Sequence, residues 1–500
     1  MSPEMEHFDV IIVGAGLSGI GAARQLQEKS PGRSFAILEG RARIGGTWDL
    51  FRYPGIRSDS DMYTMGYDSK PWRDPKAIAD GPSILAYINE AASERGLDRH
   101  IRFGQWVTRA SWDSPSARWT VETRGGERFS CNVLFLCSGY YSYAGGHAPE
   151  FPGREDFRGT WVHPQQWPED LDYAGKRVVI IGSGATAMTL VPNMAKAAAK
   201  VTMLQRSPTY VISLPAKDVI ANFLKAVLPA QLAYRLTRWK NIRLQRWIYQ
   251  QTRVKPEAVR KRLLGMARKA LGDDIVDKHF TPRYKPWDQR LCLIPDGDLF
   301  RSIRDGKAEV VTDEIERISA DGIVLKSGQT LPADVVVSAT GLRMEVLGGA
   351  EFFVDGARVE FPDTWSYKGM MFSDVPNLIY TLGYINASWT LRSELVAEFV
   401  CRLVNHMQAV GATVCTPRLR DSDRDMQGYQ LIEDFSPGYI KRAMHLFPKQ
   451  GDRDPWRNTQ NYLVDKDMIR NQPIADDVLT FTNPGAAAVA SEATTRRSAA

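Results

Sequence analysis

The sequence predicts an α/β fold in which two interleaved Rossmann-like domains carry a helical insertion. Three observations lead there. A strand–glycine loop–helix–strand unit occurs twice, its first glycines, Gly14 and Gly182, 168 residues apart. The stretch 215–275 reads as helix and gathers the positive charge of the chain. Short apolar strands also recur late, as if completing sheets begun earlier.

In the first unit, FDVIIVGAG is an apolar run that ends in glycine, LSGIGAARQLQEKS has helical spacing, and SFAILE is a second apolar strand ending in Glu39. Gly14-Ala15-Gly16-Leu17-Ser18-Gly19 is a G-x-G-x-x-G set between strand and helix. Gly14 allows the tight turn, Gly16 lets a pyrophosphate approach the backbone, and Gly19 permits close helix–strand packing, with the helix N-terminus facing the anion. Glu39 lies 20 residues after Gly19, where an acid accepts hydrogen bonds from ribose hydroxyls.

In the second unit, KRVVIIGSG leads into ATAMTLVPNMAKAAAK and then VTMLQ. Its loop is Gly182-Ser183-Gly184-Ala185-Thr186-Ala187, and its second strand ends in Gln205-Arg206, with no acid. A carboxylate there would repel a 2′-phosphate, whereas Arg206 can pair with it bidentately; the alternative for Arg206 is a solvated surface charge. One acid-ended and one arginine-ended site in a single chain suggest FAD in the first lobe and NADPH in the second, so that hydride passes from nicotinamide to flavin.

Two further apolar strands end in glycine, VLFLCSGYY (133–141) and DVVVSATGL (334–342). With the late return of such strands, the first lobe is expected to be completed by residues after about 295. The expected division is 1–145 for the first part of the FAD-binding domain, 146–170 for a linker, 171–335 for the NADP-binding domain including the insertion 215–275, 336–482 for completion of the FAD-binding domain, and 483–500 for a small-residue tail expected to be disordered.

The chain has 500 residues, 43% hydrophobic and 24% charged, with 40 Gly and 28 Pro, which excludes collagen, coiled coil and wholesale disorder. No apolar run reaches the roughly 18 residues of a spanning helix. The start carries Glu4, Glu6 and Asp9 without Lys or Arg, so no secretory signal is read. The cysteine count is odd (131, 137, 292, 401 and 415) and contains no C-x-x-C, which points to a reducing cytoplasm and against structural zinc. It also removes the redox pair that a disulfide reductase requires. None of the seven histidines forms a metal spacing with Cys or acids, so no metal is expected.

Three segments carry a family resemblance. Phe157-Arg158-Gly159-Thr160-Trp161-Val162-His163-Pro164-Gln165-Gln166-Trp167-Pro168 matches F-x-G-x-x-x-H-x-x-x-W-P and lies between the two nucleotide lobes. Residues 45–59, GGTWDLFRYPGIRSD, match G-G-x-W-x-x-x-x-Y-P-G-x-x-x-D at every fixed position. The third is Trp287-Asp288-Gln289-Arg290-Leu291. Together they resemble the Baeyer–Villiger family of class B flavoprotein monooxygenases over about residues 7–470. GGTWDLFRYPGIRSDSDMYT, WPEDLDY and GYINASWTL are similar to its ethionamide-activating branch. Many family members have Lys immediately before the arginine; this chain has Gln289.

The resemblance implies oxygen insertion beside a ketone carbonyl to give an ester or lactone through a C4a-peroxyflavin, with O₂ consumed and sulfides or thioamides oxidised as a side activity. It places Arg290 as the catalytic cation that stabilises the peroxide and the tetrahedral adduct. Asp59 is then its partner, with a turn or helix N-cap role open to that residue as well. Gly46, Thr47, Trp48 and Ser18 are expected around the flavin, Arg57 and Ser58 beside NADP, and Val107 at the adenine end. His163 is expected to be structural, since no step demands a proton carrier there. The rival chemistry is nitrogen or sulfur oxidation by a flavin-containing monooxygenase.

Between Lys217 and Lys269 there are 14 Lys or Arg against Asp218 and Glu257, a local charge of +12 that leaves −6 for the rest of the chain. Trp239, Trp247, Tyr234, Leu244 and Ile248 are mixed among them. The segment is expected to be a lid whose apolar side faces the cofactors, with peripheral membrane contact through 217–269 as the alternative. Nucleic acid is not an expected partner. Substrate identity and oligomeric state are not encoded in any motif.

Overall fold

The computed structural model describes residues 5–289, 291–433, 435 and 437–484. Strand β1 (Glu6–Val13), helix α1 (Leu17–Lys29) and strand β2 (Phe35–Glu39) form the first unit, and β1 pairs in parallel with β2 and with β3 (Arg128–Leu136). All five residues of β2 are buried, as in a strand covered on both faces. Residues 101–103 extend this sheet beyond β2, while the antiparallel strands 107–113 and 118–123 extend it beyond β3.

Strand β3 is shared along its length. Its first half pairs with 118–123, Trp119 opposite Cys131, and its second half pairs in parallel with residues 378–380, Leu378 opposite Leu134. Residues 351–354 also return to this sheet, beside 107–113. The first lobe is thus assembled from both ends of the chain.

The second sheet is wholly parallel. Strand β4 (Arg177–Ile181) leads to α2 (Ala185–Met194) and β5 (Lys200–Gln205), and the strand order is 308–312, β5, β4, β6 (Val335–Ser338) and 160–162. Two boundaries therefore differ from the sequence reading. Residues 292–295 pair with 211–214, and 308–312 and β6 join the second sheet, so return to the first sheet begins at 351 rather than near 295 or at 336. Residues 160–162, within the expected linker, form an edge strand of the second sheet. An apolar run of four or five residues states that it is a buried strand; which sheet it enters is decided by its distant partners.

The insertion is helical: α3 (Val219–Val227), α4 (Ala230–Val254), α5 (Pro256–Leu271) and a short helix Asp273–His279. Asp218 caps α3 by accepting the Ala221 N–H at 2.9 Å. At the chain's end, Asn483 accepts the Thr413 N–H at 2.8 Å and donates to the Gly411 carbonyl at 2.7 Å, so the ordered chain runs past 482; residues 485–500 lie outside the described residues.

Candidate functional site

The first glycine loop is an open anion cradle. Gly14 has φ +103° and a Cβ there would lie 2.7 Å from the Cys137 carbonyl oxygen; one on Gly19 would lie 1.8 Å from that of Gly14. Gly16 caps α1 without a side-chain hydrogen bond and the first turn holds no acid, so no side chain of the loop occupies the helix N-terminus. Glu39 is buried at the end of β2, where Oε2 accepts the Ala15 N–H at 2.7 Å and Oε1 the Arg41 N–H at 2.8 Å. Burial raises its carboxyl above the ordinary range against the pull of those two amides. Each oxygen keeps a further acceptor position for a ribose hydroxyl.

Beyond Glu39, Gln105 donates its N–H to the Glu39 carbonyl at 2.9 Å, and Trp106 packs under Gly40 and edge-on to Tyr143 at 5.8 Å. Val107 follows, buried at the start of its strand.

A second glycine pair closes on the first loop. Gly45 donates to the Ala15 carbonyl at 3.1 Å, and a Cβ on Gly46 would come 3.1 Å from the Gly16 Cα. Gly46 has φ 54° and ψ −123°, a conformation that suits glycine alone. Thr47 and Trp48 open the following helical turn, half-buried, and Asp49 fixes that turn by pairing with Arg41 at 2.7 Å and Arg52 at 2.6 Å.

The same segment then crosses to the second lobe. Phe51 and Tyr53 enter the apolar core of the second lobe with Val178, Ile180 and Met188, and burial pushes the Tyr53 phenol up to about 12. Gly55 packs against Asn193 of α2, where a Cβ would meet the amide at 2.0 Å. Arg57 pairs with Asp298, and its other terminal nitrogen, Nη2, is buried without a hydrogen-bond partner among the described residues. Residues 45–57 therefore touch the first glycine loop and the helix that follows the second.

Ser58 is buried and its hydroxyl is used locally, donating to the Ser60 carbonyl at 2.5 Å and accepting the Ser60 N–H at 2.9 Å. Asp59 is exposed, and its charge bears on the Tyr53 phenol. The cap role open to Asp59 is filled by Asp61, which accepts the Tyr63 and Thr64 N–H groups at 3.1 Å. Asp61 also accepts Asn241 at 2.9 Å and Gln245 at 2.6 Å from α4, and burial raises its carboxyl.

Arg290 lies outside the described residues. On one side, Trp287 has φ +74° and meets Tyr249 of α4 edge-on at 5.7 Å, while Arg253 donates to Asp288 at 3.1 Å and to the Pro286 carbonyl at 2.6 Å. On the other, the Cys292 thiol donates to the Ser183 carbonyl at 3.9 Å. Both flanks are thus tied to the second lobe and the insertion.

The second loop repeats the cradle. A Cβ on Gly182 would lie 2.4 Å from the Ala339 carbonyl oxygen, Gly184 and Ala185 are exposed, and the space beside Gly184 is open. Ala187 is buried against the sheet, and the Ser183 hydroxyl donates to the Ser207 carbonyl at 3.2 Å. Arg206 is exposed at the tip of β5. Gln205 stands apart from this set: it is buried and braces the lobe, donating to the His279 carbonyl at 2.7 Å and to Thr312 at 2.9 Å.

Sequence reasoning passed over Trp389. It opens α6 (Trp389–Val410) and donates its indole N–H to the Ser18 hydroxyl at 2.7 Å, bringing a second helix N-terminus to the first loop. The Ser18 proton is left free to be donated. The GYINASWTL phrase that carries Trp389 was the available signal. The residues before it are pinned from the C-terminal region: Ile385 donates its N–H to Gln460 at 3.0 Å, and the Tyr384 hydroxyl donates to Asp465 at 2.6 Å. A cavity of about 350 Å³ lies between α4 (Ile242, Gln245, Tyr249) and residues 385–387. A larger one of about 460 Å³ is lined by Lys368, Asp476 and Asp477 and touches neither glycine loop.

His163 is a strut. Nδ1 accepts the Gln165 N–H at 3.2 Å, which places the ring proton on Nε2, 3.3 Å from the Gly341 carbonyl. Burial lowers its pKa below the ordinary imidazole value.

α4 does not sit as a lid with its apolar side inward. Its inner face packs Tyr234 into the first lobe's core and is otherwise polar and locked: Arg238 donates to the Gly66 carbonyl at 2.7 Å and to Glu394 at 2.5 Å, while Trp239 and Trp247 face outward, more than half exposed.

The family model described as Flavin-binding monooxygenase-like matches residues 8–257. The chain is 52% identical over 481 residues to the FAD-containing monooxygenase EthA of Mycobacterium tuberculosis, covering 95% of this chain and 98% of that protein. It is 48% identical to the putative FAD-containing monooxygenase MymA of the same organism (95% and 98% covered) and 48% identical to the probable FAD-binding monooxygenase AlmA of Acinetobacter baylyi (95% and 96%). Among solved structures, an oxidized steroid monooxygenase bound to NADP aligns with TM-score 0.76 at 22% identity over 95% of this chain and all of that one. An open cyclohexanone monooxygenase aligns with TM-score 0.69 at 22% identity, over 83% and 90%.

Proposed function

The chain belongs to the flavin-binding monooxygenase-like family, and on that premise we propose that it is a cytoplasmic Baeyer–Villiger monooxygenase that uses NADPH and O₂ to convert ketones to esters or lactones. The observation that carries the reading is the path of residues 45–57. They pack on one glycine loop at Gly46, and on the helix after the other at Gly55 with Phe51 and Tyr53 in the second lobe's core, so two dinucleotides bound at the loops would meet along one segment. The fingerprint ending in Trp167-Pro168 and the Arg290 segment favour ketones over nitrogen or sulfur oxidation, with sulfides as a side activity.

Bound FAD, once reduced by NADPH, supplies the activation of dioxygen. The protein's contribution is binding, orientation and charge. The α1 amides and Gly14–Gly19 would hold the FAD pyrophosphate and Glu39 its ribose, with the adenine toward Val107; Ser18, Gly46, Thr47 and Trp48 would flank the ring end. The α2 amides and Gly182–Ala187 would hold the NADPH pyrophosphate, Arg206 its 2′-phosphate, and Arg57 Nη2, buried and unsatisfied, its ribose or amide. Arg290 keeps its charge at any working pH and would meet the negative charge that develops as oxygen adds to the carbonyl; Asp59 would hold it in place. Gln205 and Ser58 are supports in this reading. The FAD lobe comprises the chain up to about 145 and the strands from 351 onward, and the NADP lobe comprises 160–338. The reading includes peripheral contact of the 217–269 segment with a membrane.

The test is NADPH oxidation and product analysis over a panel of ketones and thioethers, for wild type and Arg290→Ala. The variant is expected to retain flavin colour and to lose ester formation by about 10²–10³. Normal ester yield from it, or a wild type that oxidises thioethers and no ketone, refutes the assignment.

A further inference from the structure

The two faces of α4 differ in chemistry. The inner face is largely polar and bonded to the first lobe, and further along it Ile242, Gln245 and Tyr249 wall the 350 Å³ cavity. Outward, Leu232, Leu236, Trp239 and Trp247 stand 46%, 42%, 56% and 52% exposed, at spacings that keep them on one stripe. The adjacent α3 adds Val219, Ile220, Phe223 and Val227, exposed by 76%, 56%, 64% and 57%. A patch of this size is not a feature that soluble monomers keep without a use.

The exposed charged residues within 217–254 are Lys217, Arg235 and Arg243, all basic, and the Arg243 guanidinium lies 4.1 Å over the Trp239 ring. Arg235 also borders a pocket with Asp68 and Glu394, and Asp74 lies by Lys225 at the edge of α3. Asp218, the one acid in 217–254, is turned inward, capping α3 and pairing with Lys240 at 2.7 Å. A second copy of the chain docked through the same patch would set these cations against one another. An anionic bilayer complements both parts of the face, apolar side chains entering the acyl boundary and cations meeting the headgroups. No helix among the described residues is long and apolar enough to cross a membrane, so the contact is interfacial.

We propose that the outer face of α3 and α4 docks on anionic phospholipid, and that the enzyme draws a lipid-dissolved substrate from the bilayer into the cavity on the inner side of α4. The docking stands on the surface alone; the substrate route deepens the monooxygenase reading and rests on it.

The experiment is co-sedimentation of the FAD-loaded enzyme with vesicles of phosphatidylcholine and of phosphatidylcholine containing phosphatidylglycerol. Binding to the anionic vesicles is expected to be at least ~tenfold stronger and to weaken when NaCl rises from ~0.1 to ~0.5 M. The pair Phe223→Ser and Trp239→Ser should weaken vesicle binding by at least ~tenfold while leaving NADPH oxidation with a water-soluble ketone unchanged. With a long-chain ketone dissolved in the vesicles, wild-type turnover should exceed that of the double variant. Equal binding to both vesicle types overturns the proposal, as does a wild-type dimer that the double variant converts to monomer, since the patch then belongs to a second copy. Vesicle binding without turnover of any ketone leaves the docking standing and removes the monooxygenase reading.

Discussion

Tyr53→Phe deletes one hydroxyl and leaves the rest of the buried ring in place. The Thr186 side chain, in the first turn of α2, bears on that hydroxyl, and the prediction is that the two bond once the cofactors are in place. Thr186 is half-exposed and can otherwise turn to water, so such a bond would be worth one ordinary hydrogen bond, about 1 kcal/mol. If that bond holds the two loops in register, about 1 kcal/mol corresponds to about fivefold in the rate of flavin reduction by NADPH. The assay is anaerobic stopped-flow at 450 nm, with flavin content measured in parallel and expected to be unchanged. Thr186→Val should give the same loss, and the double variant no more than either single change, because both act through one bond. Additive losses in the double variant, or a fall in flavin content that tracks the slower reduction, would refute the link between the lobes.

Gln205 and Arg206 are neighbours with separable roles. Gln205→Ala should cost about 1–3 kcal/mol of stability for its buried bonds to His279 and Thr312, seen as a lower thermal unfolding midpoint, without changing the NADPH/NADH preference. Arg206→Ala should cut that preference about 10- to 100-fold in kcat/KM and leave the midpoint alone. For His163, burial holds the folded ring below the ordinary 6.5, so the unfolded chain takes up a proton first and stability falls as pH drops through that value. His163→Gln should flatten this slope in thermal melts while the shape of the pH–rate profile is retained; a changed rate profile would show that the ring carries protons.

What the sequence made legible is what the sequence holds locally. The glycine spacings, the acid 20 residues after Gly19 and the arginine after β5 each lie within one short unit, and the two parallel sheets are built around those units. What it hid depends on distant partners. β6 and β3 are both apolar runs ending toward glycine, yet one enters the second sheet and the other the first. Trp389 meets Ser18 across 371 residues, and Gln205 becomes a brace because His279 and Thr312 come to it. R-S-D-S-D offered two carboxylates to one cap; Asp61 takes it and is met there by Asn241 and Gln245 of α4, which no local pattern contains. The outward tryptophans of α4 share a helix with buried polar residues, the reverse of the usual arrangement, so hydrophobic periodicity pointed the wrong face inward.

The split pairing of β3 sets an order for synthesis. Its carboxyl half borders residues 378–380, so the ribosome delivers the whole second sheet before the strand that seals the first one emerges. Until then the nascent chain carries an open, apolar strand edge at residues 134–136, the kind of edge that recruits other chains. Expression products that stop short of residue 378 should therefore precipitate even though both glycine fingerprints are intact, so trimming from the carboxyl end to make a smaller version cannot pass that strand.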